Sequence, residues 1–126
     1  MTRLVLDAGA FVAFEKGDAR MRYQLAAARR LGLEVITTAP VVAQVWRDGS
    51  RQALLARLLT ATRVDAPDDA AARRAGKLLA RTKTSDVVDA LLVDLAGSGD
   101  IVATSDPHDV RVLLAAAGKH AAIIAV

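Results

Sequence analysis

The sequence predicts an α/β fold, a parallel or mostly parallel sheet with helices on both faces, and three observations carry that expectation. Short apolar runs that read as buried strands alternate with stretches of helical periodicity throughout the chain. The length of 126 residues suits one compact domain, and no internal repeat, linker or low-complexity segment divides it, so residues 1–126 form a single domain. Apolar residues make up 53% and charged residues 25%, enough for a core and for a hydrated surface, which excludes intrinsic disorder. Folding at this size removes roughly two thirds of the surface the open chain exposes, so neither disulfides nor a structural metal are required.

Leu4-Val5-Leu6, closed by Asp7, predicts the first buried strand. Phe11, Val12 and Phe14 before Gly17-Asp18 predict a short helix over Ala8 to Lys16, and Met21, Leu25 and Ala28 share one face of a second helix that Gly32 closes. Glu34 to Thr38 is short and β-branched, a second strand. Pro40 stands where a helix begins, and Val41, Gln44 and Val45 share a face of it before Asp48-Gly49 stops it. Leu54, Leu55, Leu58 and Leu59 predict a helix over Arg51 to Leu59, and Arg63-Val64-Asp65 is a weakly patterned third strand. Helices follow over Ala70 to Arg81 and, strongly apolar, over Val87 to Ala96, then a turn at Gly97-Ser98-Gly99. Ile101 to Asp106 is a buried strand ending in an acid, Pro107 to Ala117 a helix ending at Gly118, and Ala121 to Val126 a final strand. In parallel sheets ligands sit beyond the carboxyl ends of the strands, where the strand order switches, and Asp7 and Asp106 stand at two such ends.

Composition narrows the chemistry. The absence of cysteine excludes zinc–thiolate sites, disulfide scaffolds and cysteine nucleophiles, and fits a reducing compartment. No apolar run approaches the roughly 18 residues of a membrane helix, and Leu4-Val5-Leu6 lacks the flanks of a signal peptide, so a cytoplasmic location without membrane association is expected. Lys and Arg number 17 against 14 acids, and 13 of the 17 are arginine, whose planar fork suits phosphate. They gather at Arg20, Arg22, Arg29 and Arg30, at Arg47, Arg51 and Arg57, and at Arg73, Arg74, Lys77, Arg81 and Lys83. A basic surface facing a polyanion is one reading; GC-rich coding, which the abundant alanine and absent asparagine also fit, is the other. His108 and His120 lack the spacing of a zinc pair, and neither a G-x-S-x-G elbow nor a glycine-rich phosphate loop is present.

The acids carry the most information. Asp7 ends an apolar strand, where an unpaired carboxylate is costly unless it meets a cation, a metal or several donors; as N-cap of the next helix it would be structural. Asp106 repeats that arrangement ahead of Pro107, with the same alternative. Asp86 and Asp89 share a face at the entry of the Val87 to Ala96 helix. There they suit a capping box or, because so apolar a helix must open toward the interior or a cleft, a functional pair. Three or more carboxylates converging on one spot require a hard cation, Mg²⁺ or Mn²⁺. Such ions activate water and stabilise the leaving oxygen in phosphodiester hydrolysis.

Four blocks, Leu4 to Ala10, Pro40 to Arg47, Thr84 to Ala90 and Val102 to Pro107, together resemble a PIN-domain ribonuclease of the VapC toxin type in their order and spacing. The resemblance implies a PIN-like three-layer α/β/α sandwich, a metal-dependent endoribonuclease acting on RNA with Mg²⁺ or Mn²⁺, a homodimer, and a small antitoxin whose tail enters the active-site groove. Matched position by position, it assigns Asp7, Asp89 and Asp106 to catalysis and metal binding. It adds Asp86 to the metal-binding set as an outer acid, Asp109 as a second outer acid, and Thr104 as the residue that positions Asp106 or a metal-bound water. Gln44 departs from the pattern, standing where the family usually carries a glutamate. A neutral amide binds a cation through its carbonyl oxygen but brings no charge, so Gln44 is a weaker catalytic contributor and affinity for Mg²⁺ should fall. Asp48 lies four residues on, one helical turn along the same face, where it would partly restore that charge; the other reading is a turn residue with Gly49. The alternative function is a PIN-fold protein with little or no catalysis that acts by binding RNA or an antitoxin. A phosphorylated receiver or phosphatase domain fits worse, because Ala8-Gly9 lacks a second acid beside the first.

Overall fold

Every strand but the last is followed by at least one helix, so the chain re-enters the sheet in the same direction each time. The computed structural model describes residues 1–126. Its five strands, β1 (Arg3–Leu6), β2 (Glu34–Thr38), β3 (Arg63–Asp65), β4 (Ile101–Thr104) and β5 (Ala122–Ala125), pair in the order β3-β2-β1-β4-β5. All four pairings are parallel, one step beyond the mostly parallel sheet expected. The helices are α1 (Ala8–Glu15), α2 (Ala19–Arg30), α3 (Ala39–Val45), α4 (Ala53–Thr60), α5 (Asp69–Thr82), α6 (Val87–Leu95) and α7 (Pro107–Ala116). Helices α2, α3 and α4 pack on α1, while α5, α6 and α7 pack on one another, giving the three layers of an α/β/α sandwich. None of them is long and apolar enough to cross a membrane.

The core follows from this layering. Leu4, Val5, Leu6, Val102 and Ala103 are buried, as central parallel strands covered on both faces must be, and Phe11, Leu55, Leu92 and Val110 fill the space between sheet and helices. The edge strands β3 and β5 are exposed or half-buried along their length.

Boundaries move where local chemistry overrides periodicity. Helix α3 starts at Ala39 because the Thr38 hydroxyl accepts from the Val41 N–H at 3.4 Å, with Pro40 in the first turn where its missing N–H costs nothing. The helix ends at Val45, since Trp46 is already extended. Asp48 is therefore not one helical turn further along α3. It caps a 3₁₀ turn, Gly49–Arg51, by accepting from the Ser50 N–H at 3.0 Å and the Ser50 hydroxyl at 2.7 Å. The helix expected over Arg51 to Leu59 is that turn followed by α4. Gln52 ties the bend together: its carbonyl oxygen accepts from the N–H groups of Arg47 (2.7 Å) and Asp48 (3.0 Å), and its amide donates to the Val45 carbonyl at 2.9 Å. Strand β4 stops at Thr104, leaving Ser105 and Asp106 in the loop before α7.

Strand order reverses at β1, with β2 and β3 to one side and β4 and β5 to the other. Leu6 stands opposite Ala103, and the Asp7 N–H donates to the Ala103 carbonyl at 3.1 Å. The exits of β1 and β4 thus lie side by side, forming the crevice where parallel sheets place ligands.

Candidate metal centre

Asp7 leaves β1 into this crevice with only 3% of its surface exposed. Its Oδ1 accepts from the Ala10 N–H at 2.9 Å, capping α1, and its Oδ2 accepts from the Ser105 N–H at 3.1 Å. Burial pushes its pKa up, while hydrogen bonds from the Thr104 hydroxyl and from these two amides pull in the other direction; the net shift is upward. The capping role and the place in an acidic pocket are therefore not alternatives for this residue. Glycine at position 9 permits the arrangement, because a Cβ there would collide with the Ser105 side chain across the β4–α7 turn.

Asp106 and Asp89 complete the group. The Asp106 N–H donates to the Thr104 hydroxyl oxygen at 2.9 Å, so Thr104 touches both strand-end acids, and the exposed Asp106 carboxylate caps nothing. Asp89 lies in the first turn of α6 with 8% of its surface exposed, and its carboxylate has neither a hydrogen bond nor an ion pair. No fully buried side-chain nitrogen or oxygen in the protein lacks a partner, so the unpaired Asp89 oxygens are ones that keep a window to solvent. One oxygen each from Asp7, Asp89 and Asp106 lie within 4.8 Å of one another. Burial first, then repulsion from Asp86, Asp7, Asp106 and Asp109, raises the Asp89 pKa to about 7. An all-oxygen set of carboxylates around one orphaned, mostly buried acid fits a hard divalent cation, which would relieve both the repulsion and the missing partner.

The other candidates lie further out. Asp86 is exposed and caps α6 through its Oδ1, which accepts from the Asp89 N–H at 2.9 Å; Asp89 does not reach back, so the pair is half a capping box and Asp86 stands outside the group of three. Gln44 is exposed on α3, beside rather than among the buried Val41 and Val45. Asp48 is occupied by its turn, and the Ser50 hydroxyl and N–H hold its carboxyl below the usual range. Asp109 and His108, at the start of α7, line a cleft with Asp86 and Asp89. Two contributors escaped the sequence reading. The Ser105 N–H is a backbone donor that any residue would supply and leaves no trace in the sequence, whereas the small residue at Gly9 was visible without its reason.

Residues 4–113 match the family described as PIN domain, a span that includes all three clustered acids. No curated protein matches the chain.

Proposed function

Because the chain belongs to the PIN domain family, we propose that it is an endoribonuclease that hydrolyses RNA phosphodiester bonds with Mg²⁺ or Mn²⁺, and that it is the toxin of a VapC-type toxin–antitoxin pair. PIN domains are generally metal-dependent nucleases acting on RNA. The observation that carries the reading is the group of three carboxylates at the switch point of the sheet, one of them mostly buried and unpaired. A divalent ion held by Asp7, Asp89 and Asp106 would supply an activated water and charge stabilisation for the leaving oxygen.

The residues of the chain fix and polarise that pocket. Donors from two separate elements orient Asp7 before any cation arrives, so little freedom is lost on binding. Thr104 couples Asp7 to Asp106, and Asp106 faces the solvent from which a phosphate group approaches. Asp86 and Asp109 add negative charge at the rim, which raises the local concentration of cations. By the resemblance of the sequence blocks, Gln44 would lend a neutral carbonyl oxygen from α3, where it is exposed. Arg20, Arg22, Arg29, Arg30 and Arg57 have no carboxylate partner and are available to RNA phosphates, whereas Arg73 and Arg74 are paired with Asp69 and Asp94.

The antitoxin and the homodimer rest on the resemblance of the four sequence blocks. A cavity of about 540 Å³, with Phe14, Leu25 and Leu33 in its walls and Arg29 and Arg57 beside them, supports a partner that is partly apolar and partly acidic. One observation favours the second reading, a weakly catalytic protein acting by occupancy: the exposed amide of Gln44 leaves the pocket with three acids.

The test is cleavage of a mixed RNA pool by the purified protein freed of any partner. Cleavage should require Mg²⁺ or Mn²⁺ and stop in excess chelator; cleavage that survives chelation overturns the metal mechanism, and RNA binding without cleavage selects the second reading. Gln44→Glu should tighten Mg²⁺ binding about fivefold by calorimetry, because a hard cation gains an anionic ligand; no gain means that Gln44 lies outside the site or that the pocket is complete without a fourth acid. Expression of the chain alone should arrest growth, and co-expression with a small cognate antitoxin should relieve the arrest.

A further inference from the structure

Beside the three carboxylates, the segment between α5 and α6 and the first turns of α7 enclose a cleft of about 530 Å³. Its chemistry is one-sided. Thr82, Thr84 and Ser85 contribute hydroxyls, Asp86 and Asp109 contribute carboxylates, and no lysine or arginine lines it. Asp89, more than nine-tenths buried and without a hydrogen-bond or ion-pair partner, belongs both to this lining and to the metal-binding group, so the two spaces are continuous. On α7, His108 and Val112 are four residues apart and stack on one face, with Asp109 and Leu113 alongside: a planar ring and apolar surface next to an exposed carboxylate that forms no ion pair.

Such walls repel a backbone phosphate and offer it no cation. They suit a neutral, planar group that presents N–H donors and stacks on a ring, which in a single-stranded RNA is a splayed-out base. We propose that this cleft receives the base next to the scissile phosphate and selects guanine. Guanine alone among the four bases presents two adjacent donors on its pairing edge, N1–H and the exocyclic amine, which one carboxylate accepts in two parallel hydrogen bonds. Adenine and cytosine present one amine each beside an acceptor nitrogen, and uracil one N–H between two carbonyls that the carboxylates repel. Asp109 is the acceptor, His108 the stacking surface, and Val112 and Leu113 the apolar floor. The place of this base in a cleavage reaction rests on the nuclease reading above; its binding does not.

Two measurements test the assignment. In chelator, so that nothing is cut, the full chain is titrated with uridine hexanucleotides carrying at the third position a guanine, an inosine base or uracil, and the resonances of His108 and Asp109 are followed. The guanine oligomer should bind about tenfold tighter than the all-uridine one, as a bidentate base contact allows, with the inosine oligomer between because it lacks the amine. Asp109→Asn should erase the difference. With metal, wild-type cuts in an RNA pool should be enriched beside guanine, and Asp109→Asn should reduce the ratio of cuts beside guanine to cuts elsewhere about tenfold, whatever it does to the total rate. Should that change disturb α7, His108→Ala examines the same cleft and should weaken binding of every oligomer with a base at that position. Equal binding of all three oligomers together with unbiased cutting overturns the cleft and leaves the nuclease reading intact. Guanine preference without any cleavage overturns the nuclease reading and leaves the cleft intact. If Asp109→Asn lowers Mn²⁺ affinity but not base preference, the acid serves a cation and the proposal fails.

Discussion

Asp89 and Asp100 are both buried aspartates, at opposite ends of the same sheet, and they have opposite chemistry. Asp100, at the amino end of β4 with 2% of its surface exposed, accepts from the Arg3 N–H at 3.0 Å, from the Arg3 guanidinium at 2.8 Å and from the Gly97 N–H at 2.8 Å. Burial works to raise its pKa, but these bonds and the Arg3 charge outweigh it and the pKa falls. Asp89, at the carboxyl end, has no partner and is pushed up to about 7 by burial and by its acidic neighbours. A buried carboxylate with a complete set of donors is part of the framework. One left without donors among other acids is stable only as an acid that holds its proton or as a ligand awaiting a cation.

The contrast predicts different consequences for the same substitution. Asp89→Asn should cut metal-dependent RNA cleavage by at least about a thousandfold, about 4 kcal/mol of barrier, while the metal-free protein melts no earlier than wild type, because a repelled charge has been removed. Retained cleavage in a correctly folded Asp89→Asn protein would take Asp89 out of the site. Asp100→Asn should do the reverse. It breaks the pair with Arg3, whose side chain is 26% exposed and so keeps some access to water; denaturant unfolding should show a loss of about 2–4 kcal/mol, with cleavage per folded molecule unchanged. If Asp100→Asn is silent in stability, the pair is a surface-like contact.

A smaller effect lies in pH. In the metal-free protein the raised pKa of Asp89 means that the folded state binds more protons than the unfolded state between the ordinary carboxyl value of 3.8 and about 7. Stability from this group is therefore fully present below about 4 and is lost as pH rises toward 7. Asp100 has the opposite sign: its lowered pKa gives stability that is present above 3.8 and lost as pH falls through the folded value. Melting temperatures of the metal-free protein should accordingly decline from pH 5 to pH 7 in wild type and decline less in Asp89→Asn. Added Mn²⁺ should oppose the decline, binding more tightly as pH passes 7 because it competes with the Asp89 proton. A flat wild-type profile would show that Asp89 titrates like an exposed acid.

Much of the fold was legible because it is written in local spacing. The alternation of Leu4 to Leu6, Glu34 to Thr38 and Ile101 to Thr104 with helical segments specifies a parallel sheet, since each strand is separated from the next by a helical crossover. The positions of Asp7 and Asp106 just beyond two strands marked the crevice before any contact was known. Gln44 and Asp48 were less readable. Where α3 stops depends on Gln52, which binds both sides of the bend after Val45, and no periodicity carries that information.

By itself, then, the sequence determined the element order, the apolar strands of the core and the acids at the exits of β1 and β4, because each depends on residues a few positions apart. The resemblance of the four blocks grouped Asp7, Asp89 and Asp106, but local spacing does not, and the tertiary structure supplies the reason they meet. Asp89 comes to Asp7 and Asp106 because the strand order places β4 beside β1 and packs α6 over the sheet, and Asp100 avoids the same fate because Arg3, 97 positions away, lies within reach. Spacing along the chain sets periodicity, but the environment of a buried charge is set by whatever distant groups the packing brings within a few ångströms, and that alone separates the paired Asp100 from the unpaired Asp89.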